Sequence, residues 1–179
     1  MRNALLISLL IATTLGCQPK VNQIAIEDPM RGFTPYAPDH IRGAASVKGL
    51  AVNLFLSLKG DISFEQLALF IPDSSNIAEI YRITLTDASE ANLNSNADTV
   101  MHQLQRGWIT TRSEASRLKA NWSEATFTKL VIEDIVNQKI PSKKIILECK
   151  SGNTTLRANV KCMQIGDRWF IGEDIKFGV

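Results

Sequence analysis

The apolar residues of this chain change period once, and that change constrains the fold more than any other feature. From Ala44 to about Leu118 they recur every three or four residues; from Phe127 onward they run on or alternate. The first spacing lines one stripe of a helix, the second one face of a strand. Val47, Leu50, Ala51, Leu54, Phe55 and Leu58 mark a first helix, stopped by Lys59-Gly60-Asp61 with Gly60 placed as its cap. Ser63 opens a second, with Gln66 at capping-box spacing, an apolar side of Phe64, Leu67, Ala68, Phe70 and Ile71, and Pro72 after its end. A third is expected over residues 76–85. Residues 87–98 are polar and Asn-rich and read as a loop or a frayed helix start. A fourth helix then runs from Asp98 through Trp108 toward Leu118.

Four strands are expected beyond it. Phe127, Leu130, Val131, Ile132, Ile135 and Val136 mark the first. Ile145, Leu147 and Cys149 alternate with polar residues in the second, and Leu156, Ala158, Val160 and Cys162 in the third. The last runs from Trp169 to Phe177, after a tight turn at Gly166-Asp167. Helices first and antiparallel strands afterwards is the α+β pattern. The expectation is N-terminal helices packed on a C-terminal four-stranded antiparallel sheet. Such a layer buries one sheet face and leaves room for a cone-shaped hollow.

The turn at Ser151-Gly152-Asn153-Thr154 bears on the cysteines. A two-residue Gly152-Asn153 loop puts Cys149 opposite Leu156 and leaves Cys162 roughly 20 Å along the strand at about 3.3 Å per residue. A disulfide needs Cα atoms within about 7 Å. Two readings stay open: a longer turn with a Cys149–Cys162 disulfide, as an oxidising compartment favours, or two buried free thiols.

The N-terminus shows why that compartment is expected. Residues 1–16 carry one charge, Arg2, then a short apolar stretch, then small residues. This is the layout of an export signal, too short for a spanning helix. Cys17, directly after Leu15-Gly16, resembles the lipobox of bacterial lipoproteins, although Thr14 stands where that family usually carries Leu. The alternative is an ordinary secretory signal that leaves a soluble protein. The resemblance implies a fatty-acylated (palmitate-type) Cys17 that anchors the protein to a membrane. Gln18 after it resembles an outer-membrane address, on the periplasmic side. The domain reading is therefore a signal peptide over 1–16, a lipidated Cys and Pro-rich tether over 17–42, and one α+β roll over 43–179.

Composition removes several function classes. The net charge of +2 includes Arg2, so the mature chain is nearly neutral, with no basic excess for nucleic acid and no polybasic stripe for anionic lipid. An apolar content of 45% is that of a globular chain. No phosphate loop, nucleophile elbow, zinc-spaced cluster or cofactor motif is present. The two histidines, His40 in the tether and His102 at a helix margin, lack metal-site spacing. Among the carboxylates Asp61, Glu65, Glu133 and Asp134, the adjacent pair Glu133-Asp134 interrupts an apolar strand, so one must face each side of the sheet. It is the best place to seek a cavity acid with a raised pKa, against the plainer reading of a strand end emerging into solvent. Trp108, Trp122 and Trp169 read as core residues whose indole N–H groups need partners.

Three segments resemble the nuclear transport factor 2-like superfamily of cystatin-like α+β rolls: Leu56-Ser57-Leu58-Lys59-Gly60-Asp61 with Phe64-Glu65-Gln66-Leu67-Ala68, Trp122-Ser123-Glu124-Ala125-Thr126-Phe127, and Gly166-Asp167-Arg168-Trp169-Phe170-Ile171. The superfamily spans enzymes, ligand sensors and protein-binding modules, and its catalytic positions do not map onto this chain. The leading expectation is a non-enzymatic envelope lipoprotein that binds a protein partner, as an assembly factor or immunity-type inhibitor. A small-ligand carrier or sensor using the cone, and a cone-type isomerase or hydrolase, are the alternatives.

Overall fold

The computed structural model describes residues 22–33, 41–84 and 89–178. Four helices precede the main sheet: α1 (Val47–Lys59), α2 (Phe64–Leu67), α3 (Ser74–Thr84) and α4 (Glu90–Arg117). The described strands are β1 (Gln23–Glu27), β2 (Thr126–Ile135), β3 (Ser142–Ser151), β4 (Thr154–Ile165), β5 (Arg168–Ile171) and β6 (Lys176–Gly178). The α+β class holds, and six strands among the described residues stand where four were expected. They form one antiparallel sheet in the order β1-β2-β3-β4-β5, with β6 also on β4.

Two strands account for the difference. Gln23–Glu27, read as tether, pairs along its whole length with Lys129 to Glu133 of β2. The expected last strand is broken into β5 and β6, because residues 172–175 leave the sheet to pack under α4. That contact needs Gly107: a Cβ there would overlap the Asp174 carboxylate and stand 2.7 Å from the Ile175 carbonyl oxygen. Gly43 is a second enforced glycine, at φ +78° with the Phe170 ring 2.7 Å from where a Cβ would be.

The helix signals act as expected at α1 and α2. The Ser46 hydroxyl accepts from the Gly49 N–H to start α1, and Gly60, at φ 97°, ends it. Ser63 and Gln66 form both halves of a capping box, but α2 is a single turn continued as a 3-10 turn over Ala68–Phe70. Arg42 ties off that turn: its Nη2 donates to the carbonyls of Ala68 (3.0 Å) and Ile71 (2.6 Å), and its Nε lies 3.1 Å from Asp73 Oδ2. Asp73 in turn accepts from the Asn76 N–H and caps α3. The polar stretch before Asp98 is helical from Glu90, with Ser89 as N-cap. Asn96 donates to the Tyr81 hydroxyl at 2.6 Å, so α3 supports the turn that propensity alone left uncertain.

The layers meet on α1. Ten of its residues are buried, including Val52 and Leu56 off the expected stripe. A helix apolar around most of its circumference belongs inside a protein, and α1 lies between the sheet and α4. Leu50, Leu54 and Leu58 interlock with Leu130, Ile145, Leu147 and Leu156, all inaccessible to solvent. The hollow expected of a cone is filled by these side chains.

Candidate functional site

Glu133 and Asp134 face opposite sides of β2, as their adjacency required, but neither points into a cavity. Glu133 lies 3.3 Å from Lys144 and accepts from Gln23 at 3.4 Å. Asp134 forms a close ion pair with Lys143 and has its carboxyl held below the usual range, chiefly by the Lys143 hydrogen bond. A cavity acid needs the opposite shift. The expectation of a cavity acid is corrected here: the strand end emerges into solvent and each carboxylate takes a neighbouring lysine. Asp61 pairs with Lys59 at 3.1 Å, and His102 is exposed on α4. Among the described residues no group of three or more His, Cys, Asp or Glu is placed to hold a metal.

The thiols resolve in favour of the short turn. Ser151 pairs with Thr154 across Gly152-Asn153, Cys149 stands opposite Leu156, and Cys162 opposite Lys143. Both cysteines are free and buried, so the disulfide reading is corrected. Burial, with Glu148 nearby, pushes the Cys149 thiol far above its ordinary value. Burial raises Cys162 to about 12 against the opposing influence of Lys143. Neither is a nucleophile at neutral pH. Cys17 and His40 lie outside the described residues, as do residues 1–21 and 34–40.

The outer face of the sheet is occupied by its own charges. Glu27, Lys129, Glu148 and Arg157 stand in one cross-strand row of alternating sign, with ion pairs of 3.2 Å at Glu27–Lys129 and Glu148–Arg157. Gln23, Glu133, Lys144 and Lys161 form a second row, in which Lys161 pairs with Glu173 at 2.8 Å. Each exposed pair contributes about 0–1 kcal/mol. Together they leave few unsatisfied charges for a partner.

One surface with unused apolar area lies on α4. Leu104, Gly107, Thr111 and Ala115 form the buried seam of that helix. Trp108 and Ile109 follow Gly107 and turn toward its rim. Trp108 packs on Phe64 with ring centroids 5.5 Å apart, and the Arg112 guanidinium lies 4.8 Å above its ring. Ile109 beside them is 53% exposed. With Ser113, Ser116, Asn121 and Trp122 they line an open cleft of about 340 Å³. Trp122 is a core residue whose Nε1 donates to the Thr111 carbonyl at 3.0 Å. Trp108 and Trp169 are only partly buried, and the Trp108 Nε1 is shielded without a partner. Trp108 was expected in the core and lies at its margin. Nothing in the sequence singled out its neighbour Ile109, whose exposure depends on what packs around α4. No protein-family model, curated protein or solved structure matches the chain.

Proposed function

We propose that this protein is a lipid-anchored protein of the cell envelope that binds another protein and performs no chemistry of its own. Its domain is read as a nuclear transport factor 2-like roll in which packing has closed the cone. The observation that carries the reading is the α4 surface: a half-buried Trp108 under Arg112, with the exposed Ile109 at its edge. Tryptophan and arginine are the side chains that most often concentrate binding energy at protein interfaces. The paired charge rows of the sheet make that face the poorer surface. The packed core argues against a ligand-carrying cone, because Leu54, Leu130 and Leu147 occupy the space a ligand would take.

Anchoring rests on Cys17 and the export-signal layout before it. Five residues, Gln18 to Asn22, separate Cys17 from β1. At no more than about 3.6 Å per residue they keep the domain within roughly 20 Å of an anchored Cys17. Gln18 supports the periplasmic side of the outer membrane, where an envelope protein is the partner class.

A photoreactive residue at position 109 in the native envelope tests this reading. The expected result is one discrete adduct with an envelope protein, absent when the same group replaces Lys150 on the far side of the sheet. In parallel, Cys17→Ala is expected to move the protein from the membrane to the soluble fraction. No adduct at position 109 would overturn the binding surface, and a Cys17→Ala protein that stays on the membrane would overturn the anchor.

A further inference from the structure

The two edges of the sheet are treated differently. At β5, Ala44 covers the edge: its N–H donates to the Trp169 carbonyl at 2.9 Å and its carbonyl accepts from the Trp169 N–H at 2.8 Å. At β1, nothing among the described residues pairs with the outer side. The hydrogen bonds that flank this strand fix which groups face out. Asp134 N–H donates to the Asn22 carbonyl and Asp28 N–H to the Thr128 carbonyl. Bonded pairs therefore fall at even positions, and the N–H and C=O of Gln23, Ala25 and Glu27 point away from β2. Open edges are usually blunted by lysine, proline or a bulge. β1 reads Gln-Ile-Ala-Ile-Glu, pairs with β2 in unbroken register, and has neither lysine nor proline. Among the described residues its protective devices are its brevity and the exposed Glu27 carboxylate.

We infer that β1 pairs antiparallel with β1 of a second copy of this chain, about a two-fold axis through Ala25. The register follows from complementarity. Centred on Ala25, Gln23 faces the second copy's Glu27, Ala25 faces itself, and every outward N–H meets an outward C=O. No like charges stand opposite one another, and the Gln23 amide meets the Glu27 carboxylate. A two-fold axis at Glu27 would instead oppose two carboxylates, and an axis at Gln23 or Ile24 aligns fewer outward groups. The Ala25 register also explains an exposed side chain. Ile24 is 55% exposed at the sheet edge. Opposite it in this pairing comes the second copy's Ile26, which already packs on the core, so the two cores become continuous. This contact is small beside the roughly 1,200–2,000 Å² of a stable interface, so pairing depends on concentration, which a shared membrane surface raises. The inference rests on the sheet edge and not on the α4 surface.

Cysteine substitution on the full-length chain in mild detergent tests it. The Cα atoms of a bonded antiparallel pair are about 5.5 Å apart, within disulfide reach. Ala25→Cys is therefore expected to give a covalent dimer under mild oxidant. Gln23→Cys and Glu27→Cys, each facing the other position, are expected to give no more than the parent chain. Ala25→Pro supplies the second test. It removes an N–H that makes no bond to β2, a substitution edge strands tolerate. It should keep the circular dichroism spectrum and abolish the dimer seen by light scattering as concentration is raised. Equal crosslinking at all three positions, no Ala25→Cys dimer, or a dimer that survives Ala25→Pro would overturn the proposal. An Ala25→Cys adduct with a different protein would assign the edge to another occupant and overturn it as well.

Discussion

Gly107→Ala sets helix propensity against tertiary packing, and the two predict opposite signs. Gly107 is interior to α4, where alanine is better by about 0.8–1 kcal/mol. The added Cβ would overlap Asp174 Oδ1 and stand 2.7 Å from the carbonyl oxygen and 3.0 Å from the nitrogen of Ile175. The Asp174 carboxylate is exposed and swings aside at little cost. Ile175 is 2% exposed, and its backbone lies between α4 and the sheet. Either α4 or residues 172–175 must therefore shift by several tenths of an ångström. Overpacking of this kind costs about 1–3 kcal/mol, which leaves a net loss of roughly 1 kcal/mol after the propensity gain. For a domain of this size that lowers Tm by about 2–4 °C. Differential scanning calorimetry decides the sign. Asp174→Ala in the same background relieves the carboxylate overlap but not the Ile175 carbonyl, so the double variant should recover only part of the loss. A Tm above that of the parent in the single variant, or full recovery in the double variant, would refute the argument that the backbone of Ile175 limits the approach.

Two further outcomes follow from buried groups. Thr111 is inaccessible and its Oγ1 has no partner; Thr111→Val removes that unsatisfied group while leaving the carbonyl that receives Trp122. It is expected to stabilise by up to about 1 kcal/mol in urea unfolding, and a loss of that size would show that Oγ1 is hydrogen-bonded. Denatured, unreduced protein is expected to expose Cys149 and Cys162 as reactive thiols that native protein at pH 8 hides. Their folded-state values lie above the ordinary 9.0, Cys162 at about 12. Folding therefore retains a proton that the unfolded chain releases, and stability is full below pH 9 and falls as pH rises toward 12. The slope is about 1.4 kcal/mol per pH unit for each thiol. An alkaline limb unchanged by Cys162→Ala would refute the assignment.

Local chemistry was legible in the residues. The change of period near residue 120 separates helices from strands because helices and strands bury side chains at different intervals. Ser63 with Gln66 determines a helix start, since both partners lie within one turn. Gly152-Asn153 marked a turn between β3 and β4, but the length of its loop, and so whether Cys149 and Cys162 stood apart or bridged, was fixed only by the strand register. What escaped was decided by contacts distant in sequence. β1 is five residues beside a proline-rich stretch, too short to show a period, and it exists because β2 offers an edge. The final strand breaks in two because α4, some 65 residues earlier, has a glycine where residues 172–175 approach. Glu133 and Asp134 were rightly placed on opposite faces by alternation, but only the positions of Lys143 and Lys144 on the neighbouring strand made them ion pairs. The sequence by itself thus determined the order of helices before strands, the caps of α1 and α2 and the place of the β3–β4 turn, which depend on side chains a few residues apart. The tertiary structure alone decided the sheet's extent, the filling of the interior and the exposure of Ile109, because burial is a property of neighbours that the chain brings together only on folding.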